Sequence, residues 1–446
     1  MDTVLKSPPV FTDDFVVFGI LMMLLAFVFY TSSHENAFWK KFYVIFPSLL
    51  MCYLLPSILS SLNIISPEWH AVDATGNFVL DETGKGTTVK LSIYKVASRL
   101  LLPAALILLT LSIDIKALFG LGNKAIIMFL TGTVGVILGG PLAILIMSAI
   151  SPETVGGAGF DAVWRGLSTL AGSWIGGGAN QTAMLEIYQY NQEKYGAMVL
   201  VDIVVANIWM AVLLFGIGKK EALDKWFKAD NSSIEALKEK VSTYTASVTK
   251  IPTLKDYMIL LGVVFGAVAF SHWSSFVIPE ILISMVPSIG DKSSMMSTFG
   301  DTFFWMVTVA TILGVVLSYT PLKAYEGIGA SKIGSILIYI LVASIGMKMD
   351  LKSIISNPGL IVVGIIWMAV HGLLLVIVGK IIRAPYFFLA VGSKANIGGA
   401  ASAPIVASAF HPSLASVGVL LAIFGYIIGT YGAILSAILM EIVAPK

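Results

Sequence analysis

Long apolar runs separated by short polar connections dominate the chain. Because the hydrocarbon core of a bilayer is about 30 Å thick, a crossing helix needs about 20 apolar residues. The pattern therefore predicts an all-α polytopic membrane protein with twelve hydrophobic segments. These segments lie near residues 15–31, 42–62, 96–113, 124–150, 162–188, 196–218, 256–274, 301–319, 331–349, 359–380, 384–410 and 413–440.

Composition supports this class. Of the 446 residues, 57% are hydrophobic and only 12% are charged, and a soluble domain cannot bury so much apolar surface. The first run follows Asp13 and Asp14 rather than a basic segment, which predicts a retained helix and not a signal peptide. The single cysteine, Cys52, allows no internal disulfide. The net charge of +2 comes with no basic tail or patch, so we expect no nucleic-acid partner.

Two longer polar stretches divide the sequence. The mixed-charge stretch 219–255 separates a first transmembrane half, 1–218, from a second, 256–446, and its Glu-to-Lys spacings predict a surface helix. The stretch 64–93 carries acidic residues and glycines, which predicts a loop outside the hydrocarbon.

The two halves share an order of motifs. "LLTLSIDIKALFG" (108–120) matches "LVASIGMKMDLKSI" (341–354), with Asp114 opposite Asp350 and Lys116 opposite Lys352. In each half a Gly-bearing helix follows, then a glycine-broken segment, then a long helix. The broken segments are "GSWIGGGANQTA" (172–183) and "GSKANIGGAASAP" (392–404). Secondary transporters are often built from two inverted repeats that each contribute one discontinuous helix. The sequence thus predicts two inverted repeats of about six helices.

Inversion requires an extra element between the halves. The candidate is "FVIPEILISMVPSI" (276–289), which is short for a span and is interrupted by Pro279 and Glu280. Whether it crosses fully is left open, as is the orientation of the termini, because the Lys residues of the loops do not favour one side.

The first broken segment suggests a binding role. Gly176, Gly177 and Gly178 favour local unwinding, and unwound backbone is tolerated in a membrane only where it is buried in protein or lines a wet cavity. Neighbouring Asn, Gln, Ser and Thr side chains would then bind a cargo or a cation. The alternative is that the glycines only let helices pack closely.

Ionisable residues within apolar runs are the strongest chemical signal. Asp202, with Asn207 nearby, could bind sodium, carry a proton or lie near the membrane surface. Lys394 could neutralise a cargo carboxylate, replace a second sodium ion, pair with Asp202 or reach the interface. His371 is interpreted as a packing residue with a proton-linked role as the alternative. Nucleotide-binding loops, metal-ligand clusters and nucleophile motifs are absent from the sequence, so we expect no enzyme.

The motifs "GSWIGGGAN", "VDIVVANIW" and "SKANIGGAASAP" carry a resemblance over nearly the whole chain. The chain resembles an uncharacterised family of bacterial membrane proteins, YjcL-like, that is similar to cation/proton antiporters and to bile-acid and glutamate sodium symporters. The resemblance implies a panel (dimerisation) domain, a core domain in which two broken helices cross, and a homodimer in the bacterial cytoplasmic (inner) membrane. It also places Asp202 where antiporters keep an ion-binding carboxylate. Antiporters often show two adjacent acidic residues there, whereas Val201 precedes Asp202, which favours a symporter.

The resulting prediction is a secondary active transporter that couples sodium to uptake of a small anionic metabolite, an amino acid or a dipeptide, by alternating access. A sodium/proton antiporter and a non-transporting scaffold or receptor are the alternatives. Sodium is the expected coupling ion, bound at Asp202, and we expect no cofactor. The predicted ion-binding residues are Asp202, Asn180, Gly176, Gly177, Gly178 and Asn207. The predicted substrate-binding residues are Ser173, Gln181, Thr182, Ser393, Lys394, Asn396 and Ser402.

Overall fold

The computed structural model describes residues 6–46, 48–80, 86–111, 120–230, 252–291, 297–349, 357–411 and 414–445. Helices make up most of this part of the chain and strands very little, so the all-α prediction is confirmed. The helices are α1 Asp14–Ser32, α2 Ala37–Ile45, α3 Ser48–Ser61, α4 Ile93–Leu111, α5 Asn123–Ile150, α6 Pro152–Val155, α7 Val163–Tyr188, α8 Tyr195–Ile217, α9 Lys220–Phe227, α10 Leu254–Met285, α11 Thr302–Ser318, α12 Ala330–Gly346, α13 Gly359–Ile381, α14 Tyr386–Asn396, α15 Gly399–Phe410 and α16 Ala415–Val443.

Among the described residues, seven helices are long and apolar enough to cross a membrane, or up to nine if each of two bent helix pairs forms one span. The seven are α1, α4, α5, α8, α10, α13 and residues 417–443 of α16. The protein is therefore an integral membrane protein with many crossings. Not every predicted run becomes one long apolar helix, because glycine and polar residues interrupt α7 and separate α14 from α15.

The chain divides into two compact units, and each unit contains parts of both halves of the sequence. The first unit comprises 1–102, 192–200 and 336–357. One stripe of α1 is buried in it, because Val17, Leu21, Leu25 and Val28 recur at helical spacing. The division predicted from sequence, 1–218, 219–255 and 256–446, stays a prediction.

The polar stretch 64–93 contains more structure than the predicted loop. The strands β1, Glu68–His70, and β2, Thr88–Lys90, pair antiparallel, with Glu68 opposite Lys90. The carboxylate of Glu68 lies 3.1 Å from the Lys90 ammonium. Because β2 is exposed, this pair contributes little to stability.

The second unit comprises 103–191, 201–335 and 358–446. Within it α7 packs along α16, α5 packs against α13 and α14, and α15 packs against α16. Small residues permit these close approaches: a Cβ atom at Gly139 of α5 would meet the Trp367 indole of α13, and one at Gly418 of α16 would meet the backbone of Ala403 in α15.

The structure bears on two predictions about the region between the halves, the segment 276–289 and the stretch 219–255. The segment 276–289 is not a separate crossing, because residues 276–285 continue α10, which runs unbroken for 32 residues. Pro279 lies inside this helix, where it removes one backbone donor without ending the helix. In the stretch 219–255 the structure describes helix α9, whereas 231–251 lies outside the described residues. The matched pairs Asp114/Asp350 and Lys116/Lys352 also lie outside them.

Both glycine segments interrupt their helices. In α7 the backbone of Gly177 has φ 72° and ψ −170°, a combination that is essentially restricted to glycine. In the second segment α14 ends at Asn396, and Gly398, with φ 108°, precedes α15. Both breaks lie within the second unit.

Replacing Gly177 by alanine should lower the free energy of unfolding by about 1–3 kcal/mol, because the Cβ atom disfavours the observed backbone conformation. Chemical unfolding of the detergent-purified protein measures this loss. Gly262→Ala is the matched control, since Gly262 lies in α10, a Cβ atom there would meet no other atom within 4 Å, and alanine favours a helix. Equal effects of the two substitutions would contradict the proposed strain.

Candidate functional site

The carboxylate of Asp202 in α8 connects the two parts of the broken helix α7. Before the break, Ser173 Oγ donates to Oδ2 at 2.7 Å and Trp174 Nε1 donates to Oδ1 at 2.7 Å. After the break, Gln181 Nε2 donates to Oδ2 at 3.2 Å. Asp202 is buried, so it does not lie at an open membrane surface. One side chain therefore holds both sides of the interruption at Gly177.

All three donors to this carboxylate are neutral. An ionised carboxylate has about four acceptor positions and no donor, and the three hydrogen bonds stabilise its charged form. They also leave acceptor capacity for one more partner. Such a site suits a hard cation, which prefers oxygen ligands.

Lys394, at the C-terminal end of α14, is the buried counterpart of opposite charge. Only 3% of its surface is exposed, which excludes the interpretation that it extends to an interface. Its Nζ donates to the carbonyl oxygen of Ala206 at 3.2 Å, one helical turn beyond Asp202. The two charges interact electrostatically, but among the described residues no carboxylate oxygen lies within 4 Å of Nζ.

A chain of neutral hydrogen bonds runs beside Lys394. His371 Nδ1 lies 2.9 Å from the carbonyl oxygen of Gly132, and since a carbonyl only accepts, Nδ1 carries the proton in the neutral ring. Nε2 then accepts from Ser393 Oγ at 2.8 Å, and that hydroxyl accepts from Trp209 Nε1 at 2.7 Å. Every member is satisfied, in agreement with the prediction that His371 is a packing residue. The chain fixes Ser393, the residue before Lys394, against α5, α8 and α13.

Each broken helix also carries an asparagine clamp, by which we mean an Asn amide bonded to its own helix and to a G-T-x-G segment of a neighbouring helix. In the first clamp, Asn180 Nδ2 donates to the Gly176 carbonyl at 2.7 Å and to the Tyr426 carbonyl at 3.4 Å. Its Oδ1 accepts from the hydroxyl of Thr430. A Cβ atom at Gly429 would lie 2.7 Å from Nδ2, so the glycine makes room for the amide.

The second clamp repeats this pattern. Asn396 Nδ2 donates to the Gly392 carbonyl at 3.0 Å and to the Phe129 carbonyl at 2.9 Å. Its Oδ1 accepts from Thr133 Oγ1 at 2.8 Å, and a Cβ atom at Gly132 would lie 2.9 Å from Nδ2. In both clamps the Asn amide bonds to the carbonyl of the residue four positions before it in its own helix. It also bonds to one carbonyl of the neighbouring helix and to the threonine four residues after that carbonyl. Both asparagine side chains therefore have both of their donors engaged.

The predicted site residues thus fall into separate groups. Ser173, Gln181 and Asp202 form one, Ser393 joins the His371 chain, and Asn180 and Asn396 form the clamps. Of the three predicted glycines, Gly176 accepts from Asn180 through its carbonyl oxygen, Gly177 is the break, and the Gly178 carbonyl accepts from Thr182 Oγ1 at 3.0 Å. The hydroxyl oxygen of Ser402 is buried, and Asn207 is exposed.

Sequence reasoning missed several members of these groups, namely Trp174, Trp209, Thr133 and Thr430. A signal for the threonines was present, because "GTVG" at 132–135 and "GTYG" at 429–432 share one spacing. Among the described residues, no group of three or more His, Cys, Asp or Glu side chains could hold a metal ion. A cation at Asp202 would accordingly be held by one carboxylate and neutral oxygens.

These features define a class: a polytopic helical membrane protein whose interior contains two broken helices, the buried carboxylate of Asp202 and the buried ammonium of Lys394. Residues 86–443 match the family described as "Protein of unknown function (DUF819)", and the chain belongs to that family. It is 26% identical over 355 residues to the "Uncharacterized membrane protein YjcL" of Bacillus subtilis (strain 168), covering 77% of this chain and 82% of that protein. The predicted family membership is confirmed.

Proposed function

We propose that this protein is a secondary active transporter that couples sodium to the movement of a small carboxylated metabolite. The observation that carries the proposal is the Asp202 carboxylate, which accepts hydrogen bonds from both sides of the break in α7. A cation that joins this carboxylate changes the interaction that holds the broken helix in its present geometry. Ion binding and helix geometry are then coupled, as symport requires.

The proposal includes the architecture predicted from sequence. Two inverted repeats each contribute one broken helix, a core carries both breaks, and a panel mediates a homodimer in the cytoplasmic membrane. The two interruptions at Gly177 and Gly398 support a broken helix in each half of the chain. The cargo contacts both broken segments, and movement of the core exposes the site alternately to the two sides of the membrane.

A second candidate, sodium/proton antiport, is favoured by the electrostatic interaction of Lys394 with Asp202. These two side chains already balance each other's charge without a bound ion. A cation at Asp202 would then replace part of the role of the Lys394 ammonium, and no organic cargo would be needed for the exchange.

Thermal unfolding of the detergent-purified full chain in sodium against potassium tests the proposal, because a ligand that binds only the folded state raises the unfolding midpoint. Sodium-specific stabilisation that grows with one small carboxylate, together with sodium-driven uptake of that carboxylate into proteoliposomes, supports symport. Sodium-driven proton movement in vesicles without cargo identifies the antiporter. No response to sodium, protons or carboxylates would overturn both and favour a scaffold.

A further inference from the structure

The break between α14 and α15 brings together three polar features. The Lys394 side chain precedes the break, Ser402 follows it, and Gly398 lies between them. A Cβ atom at Gly398 would collide with Ser402 Oγ and would lie 3.1 Å from Lys394 Cε and 3.2 Å from Nζ. The ammonium and the hydroxyl therefore both lie on the side of Gly398 where any other residue would carry its Cβ atom.

Hydrogen-bonding capacity at this place is largely unused. An ammonium has three donors, and within the described part of the chain Lys394 Nζ uses one, to the Ala206 carbonyl. Ser402 Oγ is fully buried and has no hydrogen-bond partner among the described residues. In a low-dielectric interior an unsatisfied hydroxyl and an under-coordinated charge are each costly. Among the described residues, no group satisfies the Ser402 hydroxyl or the remaining donors of Lys394 beside Gly398.

The start of α15 adds donors of the same kind. The N-cap residue is Gly398, which has no side chain to cap the helix, and the first backbone N–H groups of a helix lack intrahelical acceptors and favour negative charge. Three donor types, namely the Lys394 ammonium, the Ser402 hydroxyl and the N-terminal amides of α15, thus lie around one glycine. An anionic oxygen ligand matches all three.

We infer that Lys394, Ser402 and the N-terminus of α15 form a subsite for one carboxylate group of the transported molecule. This inference rests on the proposed transport function and specifies which part of the cargo is recognised at which break. A single carboxylate fits better than a phosphate dianion, because the subsite offers one full positive charge and a second negative charge would stay uncompensated. The cation and the carboxylate then occupy different places, Asp202 and Lys394, and neutralise the opposite protein charge at each.

The test compares three full-length variants with the wild type in detergent, at constant sodium concentration. Acetate, succinate and L-glutamate are the carboxylate probes, with chloride and inorganic phosphate as the comparison anions, and the unfolding midpoint is followed as each anion is added. Ser402→Ala removes the free hydroxyl, Lys394→Gln removes the charge while keeping a donor for Ala206, and Ser408→Ala is the matched control. Ser408 lies on the same helix, and its hydroxyl bonds only to the Ile405 carbonyl.

We expect at least one carboxylate probe, and neither chloride nor phosphate, to stabilise the wild type and the Ser408→Ala variant. Ser402→Ala should weaken the apparent affinity about tenfold or more, as for loss of a hydrogen bond to a charged group. Lys394→Gln should weaken it on the order of 100-fold, while its response to sodium persists.

Two results overturn the subsite: a wild type that responds to no carboxylate, or a carboxylate response of unchanged affinity in both Ser402→Ala and Lys394→Gln. Stabilisation by phosphate and by none of the carboxylate probes would overturn the assignment of a carboxylate as the ligand. Sodium titrations of the same variants in detergent and sodium-driven flux after their reconstitution into proteoliposomes are measured in parallel, so failure of the transport proposal is recognised separately. If sodium still stabilises the protein and the carboxylate affinity is unchanged in both variants, the proposed function stands and only the subsite is rejected.

Discussion

Asp202→Asn is expected to abolish sodium-specific stabilisation and sodium-coupled uptake while the protein remains folded. The amide has nearly the shape of the carboxylate and keeps one oxygen to accept from Trp174 or Ser173. It lacks the charge that attracts a cation, and it leaves Lys394 without its electrostatic partner. Removing one member of a buried charge pair weakens binding on the order of 100-fold or more.

Sodium titrations of the unfolding midpoint and uptake into proteoliposomes measure this effect. Glu221→Gln provides the same carboxyl-to-amide change on the exposed face of α9, and it should retain both responses. Sodium-stimulated uptake that persists in Asp202→Asn removes this residue from the mechanism. An Asp202→Asn protein that fails to fold under all conditions would show that the main role of the carboxylate is to stabilise the fold of α7.

Asn396→Leu is expected to lower the free energy of unfolding by about 3 kcal/mol, and Asn180→Leu by a similar amount. Leucine has nearly the shape of asparagine but makes none of the three hydrogen bonds of the clamp, each of which contributes about 1 kcal/mol. The carbonyls of Gly392 and Gly176 also lose a side-chain donor. Because both sites are fully buried, water cannot replace these bonds.

A double-mutant cycle separates the clamp from simple packing. Thr133→Val removes the hydroxyl that donates to Asn396 and should cost about 1 kcal/mol alone. In the Asn396→Leu background its cost should fall by a large part of that amount, because the partner is already missing. Strictly additive losses in chemical unfolding experiments would show that the observed hydrogen bond contributes nothing specific.

The sequence alone predicted the membrane class, both helix interruptions and the two ionisable residues within apolar runs. Each of these depends on a local signal. A run of apolar residues suffices for the class, and clustered glycines destabilise a helix wherever they stand. Asp202 and Lys394 are conspicuous because ionisable residues are rare within apolar segments.

Partners across the fold were not predictable in the same way. A threonine in an apolar helix usually bonds to its own backbone, so the shared spacing of GTVG and GTYG did not indicate that Thr133 and Thr430 also bond to an asparagine more than 200 residues away. A tryptophan in such a sequence suggests an interfacial anchor, whereas the indole of Trp174 donates to Asp202. The interruption assigned to Pro279 was wrong, because a proline inside a long helix removes one hydrogen bond and the remaining bonds and neighbouring helices maintain the helix.

The two clamps also have a consequence for biosynthesis. Thr430, the partner of Asn180, is synthesised 250 residues after it. Asn396 is synthesised long after Phe129, whose carbonyl accepts from its amide. At roughly 5–20 residues per second, helix α7 spends tens of seconds in the translocation machinery or the bilayer with a polar amide that lacks its final partner. Neither half of the chain contains both members of a clamp. The first clamp can therefore form only after α16 has been synthesised, whereas the partners of Asn396 are already present when α14 is made.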